Sequence, residues 1–388
     1  MAYHQEMTER AWPIYLDHNA STPLLPEVLD AMLPYLAEHY GNPSSPHIYG
    51  RTMRAAVETA RERVASLIDC EPGEVYFTSG GTEANNLAIR GVAAANPGRR
   101  HVVTSVIEHP AASEPCAWLE KQGYRVDRVP VDETGTVMLP AISPKVGGET
   151  ALVTVMHANS ETGSLQPIRQ ISRLAHDAGA LMHSDAAQSL GKIPVSVQHE
   201  EVDLLSVAGH KLYAPQGVGA LFVRTGTSIK PVLLGAGHER GLRPGTENVA
   251  SIVGLGAACK IAERDLAQES QRVGRLRDHL WTRLQEKIPD LVFNGHPLQR
   301  LPNTLSLLFP GVSGNELLDV CPAIAASTGS ACHEDGAAAS SAILAMGVAA
   351  DRAIGTVRLT LGRGNSRHEI DRAADALIEA WRSLAKKP

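Results

Sequence analysis

Six short apolar runs constrain this chain most: VYFT from Val75, HVVTS from His101, ALVTV from Ala151, ALMHS from Ala180, DLLSV from Asp203 and GALFV from Gly219. Helix-length segments separate many of them. Strands that are apolar nearly throughout are covered on both faces, as in a mostly parallel sheet held between helix layers. The runs therefore predict an α/β protein. Met53, Val57, Ala60, Val64 and Leu67 recur every three or four positions and predict an amphipathic helix feeding the first run.

At 388 residues the chain exceeds one ordinary core, so a large domain and a smaller one are expected. The change comes after about Gly245, where long helical patterns take over from Ser251 to Lys287 and from His368 to Ala385. We set the boundaries at residues 15–260 for the large domain and 261–388, with residues 1–14, for the small one. The Ala-rich tract from Ala337 fits either loop or helix.

A formal charge of -6 gives no electrostatic case for nucleic acid. No secretory leader pattern opens the chain and no segment has the apolar length of a membrane span, so a cytoplasmic location is expected. Cys70, Cys116, Cys259, Cys321 and Cys332 are scattered, odd in number and without CxxC spacing, which implies reduced thiols and no metal.

In open α/β sheets ligands collect beyond the carboxyl ends of strands, so polar residues just after each run matter. FTSGGTEANNLAI passes from a strand through Gly80 and Gly81 to Thr82 and a helix, which suits a phosphate; a tight turn with Thr82 as N-cap is the plainer alternative. His109 follows VVTSVIE, and Asp185 and Gln188 follow ALMHS. Lys211 directly follows an apolar strand, where a dry cleft would lower its pKa as imine formation requires.

Lysine, carboxylate, imidazole and phosphate cradle are the parts pyridoxal phosphate needs. Lys211 would hold the aldehyde, Asp185 the pyridine nitrogen and Gln188 the phenolic oxygen, with His109 over the ring face. Arg358, in TVRLTLGR, would clamp a substrate carboxylate or else form a surface ion pair.

The chain resembles the cysteine desulfurases of the nitrogen-fixation and iron-sulfur-cluster type, which are fold-type I pyridoxal phosphate enzymes of the class V aminotransferase family. The resemblance runs through YLDHNASTPLLPEV, GNPSSPHIYG, FTSGGTEANNLAI, HSDAAQSLGKIPV, AGHKLYAPQGVGAL, GAGHERGLRPGTENV, STGSAC and VRLTLGR. It implies Lys211 as the cofactor lysine, His109 as the stacked acid-base residue, and Asp185 and Gln188 as ring partners. Gly81, Thr82 and His210 would hold the phosphate, Thr246 would reach the phosphate in a second copy of a homodimer, and Arg358 would bind the substrate carboxylate. The small domain would be α+β.

Two positions depart from the family pattern. Ala208 stands where the family usually has a phosphate-binding serine, and HANSETG puts Ser160 beside Asn159 where an asparagine is usual near the ring and substrate carboxylate.

Cys332, in STGSACHEDG, matches the family's nucleophilic cysteine on a mobile loop near residues 326–340. The resemblance thus implies conversion of L-cysteine to L-alanine with a persulfide left on Cys332 for an acceptor protein. An aminotransferase or selenocysteine lyase on the same fold, and an inactive sulfur-transfer scaffold, are the competing readings.

Overall fold

The computed structural model describes residues 12–328 and 339–385. The first part runs β1 (Ile14–Tyr15), α1 (Pro26–Ala37), α2 (Ile48–Ile68), β2 (Val75–Thr78), α3 (Gly81–Ala95), β3 (His101–Ser105), α4 (Pro110–Lys121) and β4 (Arg125–Val129). It continues through α5 (Leu139–Ile142), β5 (Thr150–Thr154), α6 (Ile168–Asp177), β6 (Leu181–Asp185), β7 (Leu204–Ala208) and β8 (Gly219–Val223).

These strands form one seven-stranded sheet in the order β2-β8-β7-β6-β5-β3-β4. The pairs from β7 across to β4 are parallel, while β8 is antiparallel to both its neighbours. Six strands therefore share one direction and β8 alone opposes it. All six expected runs are strands, each within one residue of its place. Strands β3, β5 and β7 are buried along their whole length, which is why they read as unbroken apolar runs. β4 was not expected. Its sequence RVDRV is largely exposed or partly exposed at the sheet edge, where charged side chains are tolerated and discourage edge-to-edge pairing.

The helix expected from Met53 to Leu67 is α2. Met53, Val57, Ala60 and Val64 are buried, and the stripe also buries Arg61, whose guanidinium forks onto Glu239 with two 2.8 Å bonds. The Glu239 carboxylate also accepts from the Phe77 amide at 2.9 Å, so this buried pair is fully hydrogen-bonded.

After β8 come α7 (Val249–Gln285), β9 (Val292–Asn294), β10 (Thr304–Leu308), α8 (Gly314–Asp319), β11 (Ile324–Ala325), α9 (Ser341–Ala345), α10 (Ala350–Ala353), β12 (Thr356–Thr360) and α11 (Arg367–Ala385). β12, β10 and β9 form an antiparallel sheet, and β1 pairs with β11 in parallel. The late segment is thus less helical than its sequence pattern implies. The Ala-rich tract continues into the short helix α9, while Ala337 itself lies outside the described residues.

Helix α7, about 55 Å long at 1.5 Å per residue, spans two cores. Its first part, through Ala262, packs with the large sheet. From Val273 it joins a second core that includes Leu305, Leu307, Val357, Leu359 and, from the chain start, Ile14 and Leu16. Among the described residues no helix is long and apolar enough to cross a membrane.

Candidate active site

The carboxyl ends of β2, β3, β5, β6 and β7 meet at one cleft. Each end delivers part of its lining: Gly81 and Thr82 after β2, His109 after β3, Met156 and Ser160 after β5, Asp185 and Gln188 at β6, and Ala208, His210 and Lys211 at β7. Co-directional strands place their following turns on one side of the sheet, so residues more than a hundred positions apart become neighbours.

At β2 the turn depends on glycine. Gly80 has φ 148°, and a side chain on Gly219 of β8 would press on the Gly80 backbone at 2.7 Å. Gly80, not Thr82, is the N-cap of α3, and it supplies no side-chain cap. The first N–H groups of a 15-residue helix therefore point at the cleft uncapped, with the positive end of the helix dipole behind them. Opposite them sits Ala208. A Cβ on Gly81 would come within 3.1 Å of the Ala208 Cβ, so the two positions fit as a small pair.

Asp185 is 8% exposed and held at both oxygens. Oδ1 accepts from the Ala187 amide at 2.9 Å and Oδ2 from Asn85 Nδ2 at 2.7 Å. Below it, His183 bridges Thr154 Oγ1 at 2.8 Å and Ser206 Oγ at 2.9 Å, fastening β6 to both neighbouring strands. Burial depresses the His183 pKa to about 4, so this brace is neutral.

His109 caps α4, its Nδ1 accepting from the Ala111 amide at 3.1 Å. That bond leaves the imidazole proton on Nε2. Burial first, and then the positive charge of Lys211, lower the His109 pKa. The ring is thus a neutral flat group with a donor N–H. His210 is likewise neutral: burial, followed by the Lys211 charge, takes it to about 4.

Ser160 lines the cleft and Asn159 does not. The Asn159 amide holds its own turn, with Oδ1 accepting from the Glu161 and Thr162 amides at 2.9 and 3.0 Å and Nδ2 donating to the Ile107 carbonyl at 3.3 Å. Arg358, on β12, approaches from the second sheet. It donates to Asp17 Oδ1 at 2.7 Å and to the Ser160 carbonyl at 3.3 Å, while its buried Nε has no hydrogen-bond partner among the described residues. Thr246 stands apart on an exposed loop before α7, and Cys332 lies outside the described residues.

Asn85, Met156 and Ala187, which line the same cleft, and Asn19, which hydrogen-bonds its rim, are not among the residues expected from the sequence. Asn85 sits one turn beyond Gly81 in the quoted GGTEANN, so α-helical spacing was the available signal. Its Oδ1 is buried without a partner among the described residues. A polar atom left so beside a cleft marks a place where a ligand or water completes the bonding.

The aminotransferase class-V family matches residues 14–373. The chain belongs to that family. A cysteine desulfurase of Trichormus azollae is 43% identical over 377 residues, covering 96% of this chain and 94% of the relative. A solved NifS-like protein superposes with a TM-score of 0.90 at 35% identity, covering 96% of this chain and all of the other. SspA, solved in complex with cysteine, gives a TM-score of 0.80 at 32% identity over 90% of this chain and 99% of its own. Within class V this chain therefore falls among the cysteine desulfurases, on the fold-type I scaffold.

Proposed function

We infer that the protein is a cysteine desulfurase: it converts L-cysteine to L-alanine and keeps the sulfur as a persulfide on Cys332. The observation that carries this is the convergence of Lys211 and the doubly held Asp185 on one cleft, beside an uncapped helix N-terminus. The donor set fits pyridoxal phosphate. The α3 amides have no side-chain cap to satisfy them, as a phosphate site requires, and Asp185 offers a carboxylate in a largely buried place.

Pyridoxal phosphate, bound through its aldehyde, supplies an electron sink for the α-carbon of an amino acid. In this reading Lys211 Nζ anchors it and Asp185 keeps its ring nitrogen protonated. Gly81, Thr82 and His210 hold the phosphate, joined by Thr246 from a second copy in a homodimer. His109 covers the ring face as a neutral imidazole, and Gln188 meets the phenolic oxygen. Arg358 receives the substrate carboxylate, which would share the guanidinium with Asp17. Ser160 borders that place, and Asn159 keeps its turn in shape. The sum of atoms balances: the carbon–sulfur bond of cysteine breaks, a sulfur–sulfur bond forms at Cys332, and the thiol proton ends on the β-carbon of alanine.

The persulfide passes to an acceptor protein, and the location is cytoplasmic. The change of core along α7 between Ala262 and Val273 supports a domain boundary near residue 260, although Ala342, Ile343, Met346 and Ala353 return to the first core. The direct test is chemical trapping. Borohydride reduction of the cofactor-loaded protein followed by peptide mapping should place the pyridoxyl group on Lys211, and attachment to another lysine would overturn the assignment.

A further inference from the structure

A second lysine, Lys192, reaches the cleft wall from behind. Its Nζ lies 3.0 Å from Gln188 Oε1 and 3.1 Å from Asn19 Oδ1, both uncharged acceptors. Among the described residues no carboxylate pairs with it. Burial, followed by the positive charges of Lys211 and Arg358, pushes this amine well below the ordinary lysine range. An amine on a partly buried side chain, given two neutral acceptors, is a costly way to build a wall, since an apolar side chain would avoid the desolvation.

The bonds around Gln188 show what the amine accomplishes. Gln188 is 4% exposed, lines the cleft, and donates from Nε2 to the Asn19 carbonyl at 3.0 Å. An amide oxygen only accepts and its nitrogen only donates, so these two partners dictate which end is which. Turned over, Oε1 would oppose the Asn19 carbonyl with no hydrogen between them. Asn19 is itself immobilised. Its Oδ1 also accepts from Asn303 Nδ2 at 2.9 Å, its Nδ2 donates to the Ser160 carbonyl at 3.0 Å and Thr304 Oγ1 at 2.9 Å, and its amide donates to Thr360 Oγ1 at 3.0 Å. The brace thus runs from the cleft to β10 and β12.

We propose that Lys192 is a positioning residue that locks the Gln188 amide, so that the remaining Nε2 hydrogen is the group presented to the cleft. It acts through Gln188 and touches no reactant. Resting on the reading that pyridoxal phosphate occupies the cleft, the proposal makes Nε2 a fixed donor to the cofactor's phenolic oxygen. Without Lys192 the amide keeps only the Asn19 carbonyl as an orienting partner and Oε1 loses its donor, so the amide turns more readily and, turned, offers an acceptor to an anionic oxygen, which repels it.

The test compares wild type, Lys192→Met, Gln188→Ala and the double variant, each loaded with pyridoxal phosphate, by the pH midpoint of the visible absorption change. A lost hydrogen bond to a charged oxygen is worth about tenfold, so the Lys192→Met midpoint should rise by about one pH unit. In the Gln188→Ala background the same change should have no further effect. An unmoved midpoint, or a shift of equal size without Gln188, would overturn the proposal. If Lys192→Met does not fold, Lys192→Leu, which likewise has no donor, serves in its place and should shift the midpoint in the same direction.

A second readout needs no cofactor. In apoprotein labelled with ¹⁵N-glutamine, the Gln188 side-chain signals are those missing from Gln188→Ala, and their exchange with solvent should be about tenfold faster in Lys192→Met. Unchanged exchange would refute the lock even if the cofactor reading stood. A wild-type protein that forms no visible band, with exchange accelerated as expected, would refute the cofactor reading and leave the lock standing.

Discussion

Asn85 Nδ2 donates to Asp185 Oδ2 across 2.7 Å, a bond that joins the second turn of α3 to the last residue of β6. The helix whose first amides face the proposed phosphate place is thereby fixed to the carboxylate proposed to face the ring. One contact sets the spacing of both.

Asn85→Ala should therefore weaken cofactor binding without unfolding the protein. Losing a bond to a charged carboxylate typically costs about 1.5–3 kcal/mol, and about a tenfold rise in the pyridoxal phosphate dissociation constant is expected. Fluorescence titration of the apoprotein measures it, and an unchanged constant would separate Asp185 from Asn85.

Ala208→Ser should act in the opposite direction. Ala208 is 5% exposed, lines the cleft and faces Gly81 closely, so a hydroxyl there would adjoin the uncapped amides where a phosphate is proposed. A hydrogen bond to phosphate is worth about 1.5–3 kcal/mol, and the dissociation constant should fall about tenfold. Ala208→Val, which adds bulk against Gly81 and no donor, should raise it. Equal constants for wild type and the serine variant would remove Ala208 from the phosphate cradle.

Glu108 provides a pH test. Burial raises its carboxyl from the ordinary 4.5 to about 8, against the bonds from Ser105 Oγ at 2.6 Å and the Met156 amide at 3.0 Å. The folded state binds this proton more tightly than the unfolded state, so its contribution is full below about 4.5 and is lost as pH rises towards 8. Glu108→Gln cannot ionise. Its melting temperature relative to wild type should climb between pH 5 and 8 and level off above, and a constant difference would contradict the raised pKa. The neutral histidines His183 and His210, both near 4, work the other way: stability falls as pH drops from 6.5 to 4.

The large sheet was legible because strands buried on both faces must be apolar throughout, and such runs survive in a single sequence. β10 and β12 were not read as strands. They lie among helical patterns, and their pairing of Ser306 with Arg358 joins segments fifty-two residues apart with no local turn signal. In the site, Asp185, Gln188, His109 and Lys211 were visible because each follows a recognisable strand. Asn19 and Lys192 were not, because the bonds of Asn19 to Gln188 and to Lys192 are made only when its segment packs on the end of β6, and the bond of Lys192 to Gln188 lies in an irregular turn four residues long. Arg61 shows the converse limit: the helical stripe was right, yet its buried cation could be understood only with Glu239 from 178 residues away.

The central claim is that Cys332 takes the sulfur. In the proposed reading Lys211, Asp185 and Arg358 bind cysteine without it, but a serine hydroxyl stays protonated near neutrality and is a far weaker nucleophile than a thiolate. The decisive measurement is alanine formed in a single turnover by cofactor-loaded Cys332→Ser at saturating L-cysteine without reductant, alongside wild type and mass analysis of the Cys332 peptide. Wild type should form alanine and gain one sulfur atom on that peptide, while the variant binds cofactor and substrate but forms no alanine. Alanine from Cys332→Ser at the wild-type rate would contradict the account.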